Sequence, residues 1–292
     1  MRERVVERGL TMEIRLRKAK PEDRDKVILI ESKSTPNLSY VPQVWGMFIN
    51  DDTGDWSVVE LDGDIVGCGK YTILPDGSAW LETLRVIPER QGLGVGKRFY
   101  DHWFELARSQ GVKTMRMYTG TGNVVSKGLA ERYGLKVVGT YMEARMPCMK
   151  DVSVSKNMFR QVRDPKEAAE LLMPLRDKWS GFLVMNRTFY EFTPIICSHL
   201  AKGGMVYMEP STGSVVTLGA RLMPKDALHL GVVEGDLLGC MDFAMAMGVK
   251  RQVGRLNIMF PPTAADVHEA LTEYGFSVGA SGFLVMEIHL DS

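Results

Sequence analysis

Val86-Ile87-Pro88-Glu89-Arg90-Gln91-Gly92-Leu93-Gly94-Val95-Gly96-Lys97 links the end of an apolar strand to the start of an amphipathic helix. Glycine reaches backbone conformations closed to other residues and lets a ligand approach the main chain closely. A helix start leaves N–H groups without intrahelical acceptors, and together with the helix dipole these suit a pyrophosphate. The three glycines alone are equally compatible with a plain glycine-rich turn. Two other phosphate motifs fit poorly. A P-loop needs Ser or Thr after its lysine, whereas Arg98 follows Lys97. A dinucleotide-binding G-x-G-x-x-G follows the first strand of a βαβ unit.

Outward from this stretch the elements fall into a regular order. Glu13–Arg17 alternates as a strand, and Pro21–Glu31 reads as a helix with proline in its first turn. Tyr40–Asn50 has helical spacing. Trp56–Leu61 and Ile65–Leu74, joined by Asp62-Gly63, give a hairpin, and Ala79–Val86 a third strand. In Gly94–Gln110, Val95, Phe99, Trp103 and Leu106 share a helix face, and Gly111 supplies the stop. Thr114–Thr119 is a strand, Val124–Tyr133 a helix and Leu135–Met142 a strand.

After a linker near 146–158 the same order returns. Phe159–Val162 reads as a strand and Pro165–Leu172 as a helix, with a second helical region near Phe189–Leu200. Met205–Glu209, Val215–Leu222 and Ala227–Val232 read as strands. Asp236–Met247 reads as a helix ending at Gly248, followed by the strand Val253–Met259, the helix Ala264–Tyr274 and the strand Phe283–His289. Gly111-Val112-Lys113 recurs as Gly248-Val249-Lys250, and Tyr133-Gly134-Leu135 as Tyr274-Gly275-Phe276. These landmarks predict a duplicated α/β chain with domains at 12–146 and 158–292. Met1–Thr11 reads as a charged extension ahead of the first strand.

Gln91, Gly94 and Gly96 match the [Q/R]-x-x-G-x-[G/A] loop of the GNAT superfamily of N-acetyltransferases, and Leu84-Arg85-Val86-x-Pro88 resembles the strand before it. Asn123 and Ala130-Glu131-Arg132-Tyr133-Gly134-Leu135 resemble that family's later N…E-K-x-G-F segment. The resemblance covers roughly Met12–Ala144. It implies tandem GNAT-like domains, each a mixed, mostly antiparallel sheet flanked by helices, and acetyl-CoA as co-substrate. The backbone of Leu84, Arg85 and Val86 would pair with the pantetheine arm, much as a strand edge accepts a peptide. The N–H groups of Gly92, Leu93, Gly94, Val95, Gly96 and Lys97 would hold the pyrophosphate, with Asn123 a further contact. Tyr40-x-Pro42 with Glu82-x-Leu84-Arg85-Val86-x-Pro88 is similar to the histidine N-acetyltransferase-like branch, which also has an extended C-terminal half.

Acetyl transfer to an amine needs a base, an oxyanion donor and a proton for the leaving thiolate. Glu82, in the alternation set of Leu84 and Val86, is the expected base; a salt-bridged strand carboxylate is the competing reading. By analogy the Val86 N–H is the oxyanion donor. Ala130 stands where many relatives carry a tyrosine acid, which leaves Tyr118 and Tyr133 as substitutes. Of these Tyr118 is the candidate, because Tyr133 fits a packing role at a helix end; the thiolate could also leave without a dedicated acid, so the acid stays unassigned. Tyr40 and Trp45 are candidates for the acceptor pocket.

The second half offers Gly231-Val232-Val233-Glu234-Gly235-Asp236-Leu237-Leu238-Gly239 at the equivalent place, shorter and with two acids that would repel a pyrophosphate. It is expected to be a degenerate domain without a cofactor loop. Across 292 residues, 36 basic and 36 acidic side chains balance, so no net field recruits nucleic acid or membrane. Scattered cysteines and histidines predict no metal site and a reducing, cytoplasmic setting. The expected partner is a small-molecule amine. A protein or peptide N-acetyltransferase, or a non-catalytic acyl-CoA-responsive module, are the alternatives.

Overall fold

Two glycines in the expected hairpin explain how the first half assembles. The computed structural model describes residues 2–7, 10–36, 38–148 and 158–290. The chain divides into two compact units, the first comprising Met1–Met117, Val125–Lys136 and Glu287–Ser292, the second Tyr118–Val124 and Val137–Met286. In the first unit the elements are β1 (Arg2–Glu7), β2 (Leu10–Lys18), α1 (Arg24–Ser34), α2 (Val41–Ile49), β3 (Asp55–Leu61), β4 (Asp64–Ile73), β5 (Ala79–Val86), α3 (Val95–Gln110), β6 (Thr114–Gly120) and α4 (Val124–Arg132). The sheet order is β1-β2-β3-β4-β5-β6. Its neighbours pair antiparallel except β5 with β6, which run parallel.

Gly67 and Gly69 of β4 lie two apart, hence on one face. A Cβ at Gly67 would stand 2.9 Å from Val95, and one at Gly69 2.8 Å from Trp103 and 2.9 Å from Phe99. Small residues here let α3 lie directly on the sheet. Val95, Phe99, Trp103 and Ala107, spaced by four, are buried along that helix; a large apolar side chain buried in this way contributes about 2–3 kcal/mol. Gly111, at φ 68°, ends α3. The Val112 N–H reaches back to the Ala107 carbonyl at 2.9 Å, closing the helix end. The N-terminal extension differs from expectation, because Arg2–Glu7 pairs antiparallel with β2. A strand edge offers backbone partners whatever the side chains are.

The second unit contains β7 (Lys136–Pro147), β8 (Arg160–Val162), α5 (Pro165–Leu172), β9 (Phe182–Met185), β10 (Thr188–Glu191), α6 (Pro194–Lys202), β11 (Val206–Met208), β12 (Val215–Gly219), β13 (Ala227–Glu234), α7 (Leu237–Lys250), β14 (Arg255–Phe260), α8 (Ala265–Tyr274), β15 (Ser277–Val278) and β16 (Phe283–His289). Residues 149–157, within the expected linker, lie outside the described residues. The order β7-β14-β13-β12-β11-β8 repeats the first unit's arrangement, with β13 and β14 as the parallel pair. The strand that follows α4, β7, pairs with β14. The chain's last residues instead complete the first unit: the Leu290 N–H bonds the Lys113 carbonyl at 2.8 Å, and buried Arg116 pairs with Glu287.

Three expectations are corrected. Phe189 lies in a strand, because residues 182–191 form the β9–β10 hairpin and α6 begins only at Pro194. Its turn, Asn186-Arg187, has φ 52° and 57°, a hairpin geometry that usually shows itself as Asn-Gly. Secondly, α7 continues through Gly248 to Lys250. Thirdly, the Gly-Val-Lys match is therefore displaced by one helical turn. The structural equivalent of Gly111 is Gln252, at φ 56°, with the Val253 N–H bonding the Gly248 carbonyl at 3.1 Å. Gly111 to Gln252 and Gly134 to Gly275 are then both separated by 141 residues. No described helix is long and apolar enough to cross a membrane.

Candidate active site

On β5 the ladder changes character halfway along. Its parallel pairing with β6 runs from Ala79↔Met115 to Leu81↔Met117. On the other side the register with β4 shifts between Cys68↔Arg85 and Lys70↔Glu82. This is a β-bulge, and Thr83 at φ 57° takes up the extra residue. Beyond it the Ile87 N–H bonds the Val66 carbonyl at 3.0 Å on the β4 side. Backbone groups of successive strand residues point to opposite edges. The N–H and C=O of Val86 therefore face away from β4, along the edge beyond its last described pair with β6, Leu81↔Met117. A strand edge of this kind accepts an extended, amide-bearing chain.

The loop that follows is folded for close approach. Gly92 and Gly94 have φ of 82° and 83°, a region costly for residues with a Cβ. The Gln91 side chain donates to the Val86 carbonyl at 3.2 Å, tying the loop back to the strand. Gly94 is the N-cap of α3 and supplies no side-chain cap, and the first turn contains no acid. Its leading N–H groups are thus available to an anion. Gly96 owes its size to packing instead, since a Cβ there would lie 2.9 Å from Leu129 of α4.

Glu82 is 7% exposed and sits on the face opposite α3, directly across from Lys70. It accepts a hydrogen bond from Thr72 Oγ1 at 2.6 Å. Lys70 is fully buried and committed to Asp51 and to the Tyr71 carbonyl. Because the bulge breaks the alternation at Thr83, the next hydroxyl is aimed at the segment before α2, where it meets the Tyr40 phenol at 2.7 Å. Tyr40 is held in turn by Glu31, a buried carboxylate on α1 that accepts from the N–H groups of Tyr40 and Val41 and from Ser39 Oγ. Trp45 is buried, edge-on to Trp56 at 6.0 Å. Glu31, Thr72 and Thr83 escaped sequence reasoning. No motif marks them, and only the bulge and the helix packing bring them beside Glu82 and Tyr40.

The remaining predicted residues divide between the units. Tyr133 packs on Tyr100 and Phe104 and donates to the Lys97 carbonyl at 3.0 Å, which fixes α4 to α3. Tyr118 and Asn123 belong to the second unit. There Tyr118 lies between Phe189 and Phe283 and hydrogen-bonds Arg187, whose guanidinium also binds the buried Glu143 carboxylate at 2.8 Å. Burial works to raise the Glu143 carboxyl, but the hydrogen bonds and charge of Arg187, with Arg145, hold it below its usual range.

The second unit repeats the bulge and lacks the loop. The β12–β13 register shifts between Val216 and Leu218, where the Val232 N–H is taken by Thr217 Oγ1 at 2.9 Å. Leu183 of β9 covers Gly231. Two residues, 235–236, join β13 to α7, against eight, 87–94, between β5 and α3. The Asp236 carboxylate itself caps α7, accepting from the Gly239 N–H at 3.0 Å. His229 on β13 accepts from the Asn186 N–H, and burial pulls its imidazole down to about 4. Among the described residues no group of three or more His, Cys, Asp or Glu could hold a metal ion.

Residues 24–135 match the model of the acetyltransferase (GNAT) family. No curated protein matches the chain significantly. Solved structures resemble it over nearly its whole length. A GCN5-related N-acetyltransferase from Sphaerobacter thermophilus has a TM-score of 0.64 at 12% identity, covering 94% of this chain and 95% of its own. A tandem GNAT protein from the clavulanic acid biosynthesis pathway has a TM-score of 0.59 at 14% identity, covering 96% and 99%. A GCN5-related N-acetyltransferase from Kribbella flavida has a TM-score of 0.53 at 14% identity, covering 96% and 72%. Residues 24–135 are thus a domain of the acetyltransferase (GNAT) family, within a chain that has the fold of tandem GNAT proteins.

Proposed function

We propose that the first unit transfers an acetyl group from acetyl-CoA directly to the primary amine of a small metabolite or amino acid. The observation that carries this reading is the junction of an open β5 edge at Val86 with an uncapped, acid-free start of α3. One feature offers backbone pairing to an amide-bearing arm, and the other offers N–H groups to a pyrophosphate. When bound, acetyl-CoA supplies the activated thioester. Gly92 to Lys97 would hold its phosphates, and Leu84 to Val86 its pantetheine. The Val86 N–H, facing away from β4, is suited to the negative charge that develops on the thioester oxygen.

Glu82 would take a proton from the acceptor's ammonium, directly or through water, freeing the neutral amine to attack, with Thr72 orienting one carboxylate oxygen. The Tyr40–Thr83 hydroxyl pair lies on the same side of the bulge and is suited to holding the acceptor. Tyr118 and Asn123, which belong to the second unit, are given no role in this reading. The second unit is read as a degenerate copy, its helix start already capped by Asp236.

CoA-thiol release measured against amino acids, polyamines, aminoglycosides and short peptides, with mass spectrometry of the products, tests the reading. Turnover with small amines supports it. Turnover with peptides alone would move the acceptor class to proteins. Stabilisation by acetyl-CoA without any turnover would favour a non-catalytic acyl-CoA-responsive role, and failure to bind acetyl-CoA would end the proposal.

A further inference from the structure

Arg85 carries a charge that the site described so far does not use. It stands directly across from Cys68 on β4, and directly opposed residues share a sheet face. That is the face of Lys70, Thr72 and Glu82. The opposite face, with Gly67 and Gly69, is covered by α3, whose start forms the phosphate cradle. The guanidinium therefore lies on the acceptor side.

A guanidinium has five N–H donors and no acceptor. The hydrogen bond that Arg85 makes runs from Nη1 to the Leu84 carbonyl at 3.1 Å, and its Nε is buried without an acceptor. Among the described residues no carboxylate pairs with it. Glu31, which with Arg85 acts electrostatically on Cys68, has its oxygens taken by Ser39, Tyr40 and Val41. Other cations on this face already hold carboxylates, Lys70 that of Asp51, Arg17 those of Asp23 and Glu60, and Arg116 those of Asp76 and Glu287. A buried donor left unpaired is costly, and Arg is the side chain best matched to a planar carboxylate.

We infer that Arg85 anchors a carboxylate of the acceptor, so that the acceptor is an amine that also bears an acid group, as an amino acid does. This inference rests on the acetyl-transfer reading and narrows its acceptor class. Glu82 and Arg85 flank the bulge on one face, with opposite charges. The carboxylate of Glu82 attracts an ammonium and repels an acid, and Arg85 does the reverse. A zwitterionic acceptor is thereby oriented with its amine toward the proposed base.

The test compares matched acceptors, free amino acids against their amides and the corresponding simple amines, in the wild type, Arg85→Lys and Arg85→Gln. Melting curves with and without acetyl-CoA serve as the check on folding and cofactor binding. The wild type should favour the free acids in kcat/KM. Arg85→Gln should lose roughly 10- to 100-fold of that preference, mainly in KM, with Arg85→Lys between the two and acetyl-CoA stabilisation retained. Equal use of acids and amides by the wild type would overturn the inference while leaving acetyl transfer standing, and it does so even if Arg85→Gln fails to fold. An acid preference unchanged in both variants would also overturn it. No turnover of any amine would overturn the acetyl-transfer reading itself, and the inference with it.

Discussion

The two units carry the same strand, bulge and helix, and they use the helix start in opposite ways. In the first unit, eight residues separate β5 from α3, Gly92 and Gly94 turn the chain at positive φ, and the helix begins without a side-chain cap. In the second, two residues separate β13 from α7, and Asp236 fills the same helix start with its own carboxylate. The bulges differ likewise. In the first bulge Thr83 takes a positive φ, whereas in the second Gly231 does not, the Val232 N–H bonds Thr217 Oγ1 and Leu183 packs on Gly231. An internal cap stabilises a helix by roughly 1 kcal/mol. Leaving that cap out forgoes this stability and leaves the first turn of α3 without a side-chain acceptor. The comparison teaches that one scaffold supports either a ligand-ready or a self-satisfied helix start, and that loop length and a single carboxylate separate the two.

The largest effect that could break this assignment is catalytic. Glu82→Gln should lower the rate by roughly 100- to 10,000-fold while acetyl-CoA still raises the melting temperature; an unchanged rate would remove Glu82 from the chemistry. A paired substitution at the two left-handed glycines comes next. Gly94→Val should raise the KM for acetyl-CoA at least about tenfold, because the cradle cannot keep its φ. Gly235→Val, at φ 86° and with Ser214 only 2.7 Å from a Cβ, should cost stability by about 1–3 kcal/mol with the KM for acetyl-CoA unmoved. Equal effects on that KM would mean that the second unit also serves the cofactor.

Smaller shifts sharpen the contrast. Asp236→Ala should lower stability by about 1 kcal/mol through loss of the cap, read by urea denaturation, without creating a second acetyl-CoA site in a binding titration. A stoichiometry of two would show that the carboxylate alone closes the second helix start. Smallest of all, Gln252→Gly should be neutral or stabilising by up to about 1 kcal/mol, since it relieves a left-handed glutamine. Gly111→Gln at the equivalent position should destabilise by a similar amount.

Much of the fold was legible because its signals are local. The Asp62-Gly63 hairpin, the stripe of α3 and the glycine-rich loop depend on neighbours within a few residues, and each appears where the pattern places it. The repeat was legible as well, although one of its two landmarks is a coincidence: Gly248 lies inside α7, where its size matters because a Cβ would meet Cys148 Sγ at 2.6 Å. The true counterpart of Gly111 is a glutamine, which no pattern of glycines could reveal. The β9–β10 hairpin stayed hidden for a similar reason, its turn being Asn-Arg.

The sequence by itself determined most of the α/β order, its duplication, and which half keeps the longer glycine-rich loop, because periodicity, turn chemistry and the count of loop residues are properties of short segments. Only the tertiary structure decided that Thr83 bulges, that Glu31 caps α2 and so fixes Tyr40, that Val86 turns its N–H away from β4, and that β7 pairs with β14 while the chain's last residues complete the first unit. These features arise from pairings between residues far apart in the chain. The free energy of such a pairing depends on which backbone edges and packing faces remain open once the rest of the chain has folded.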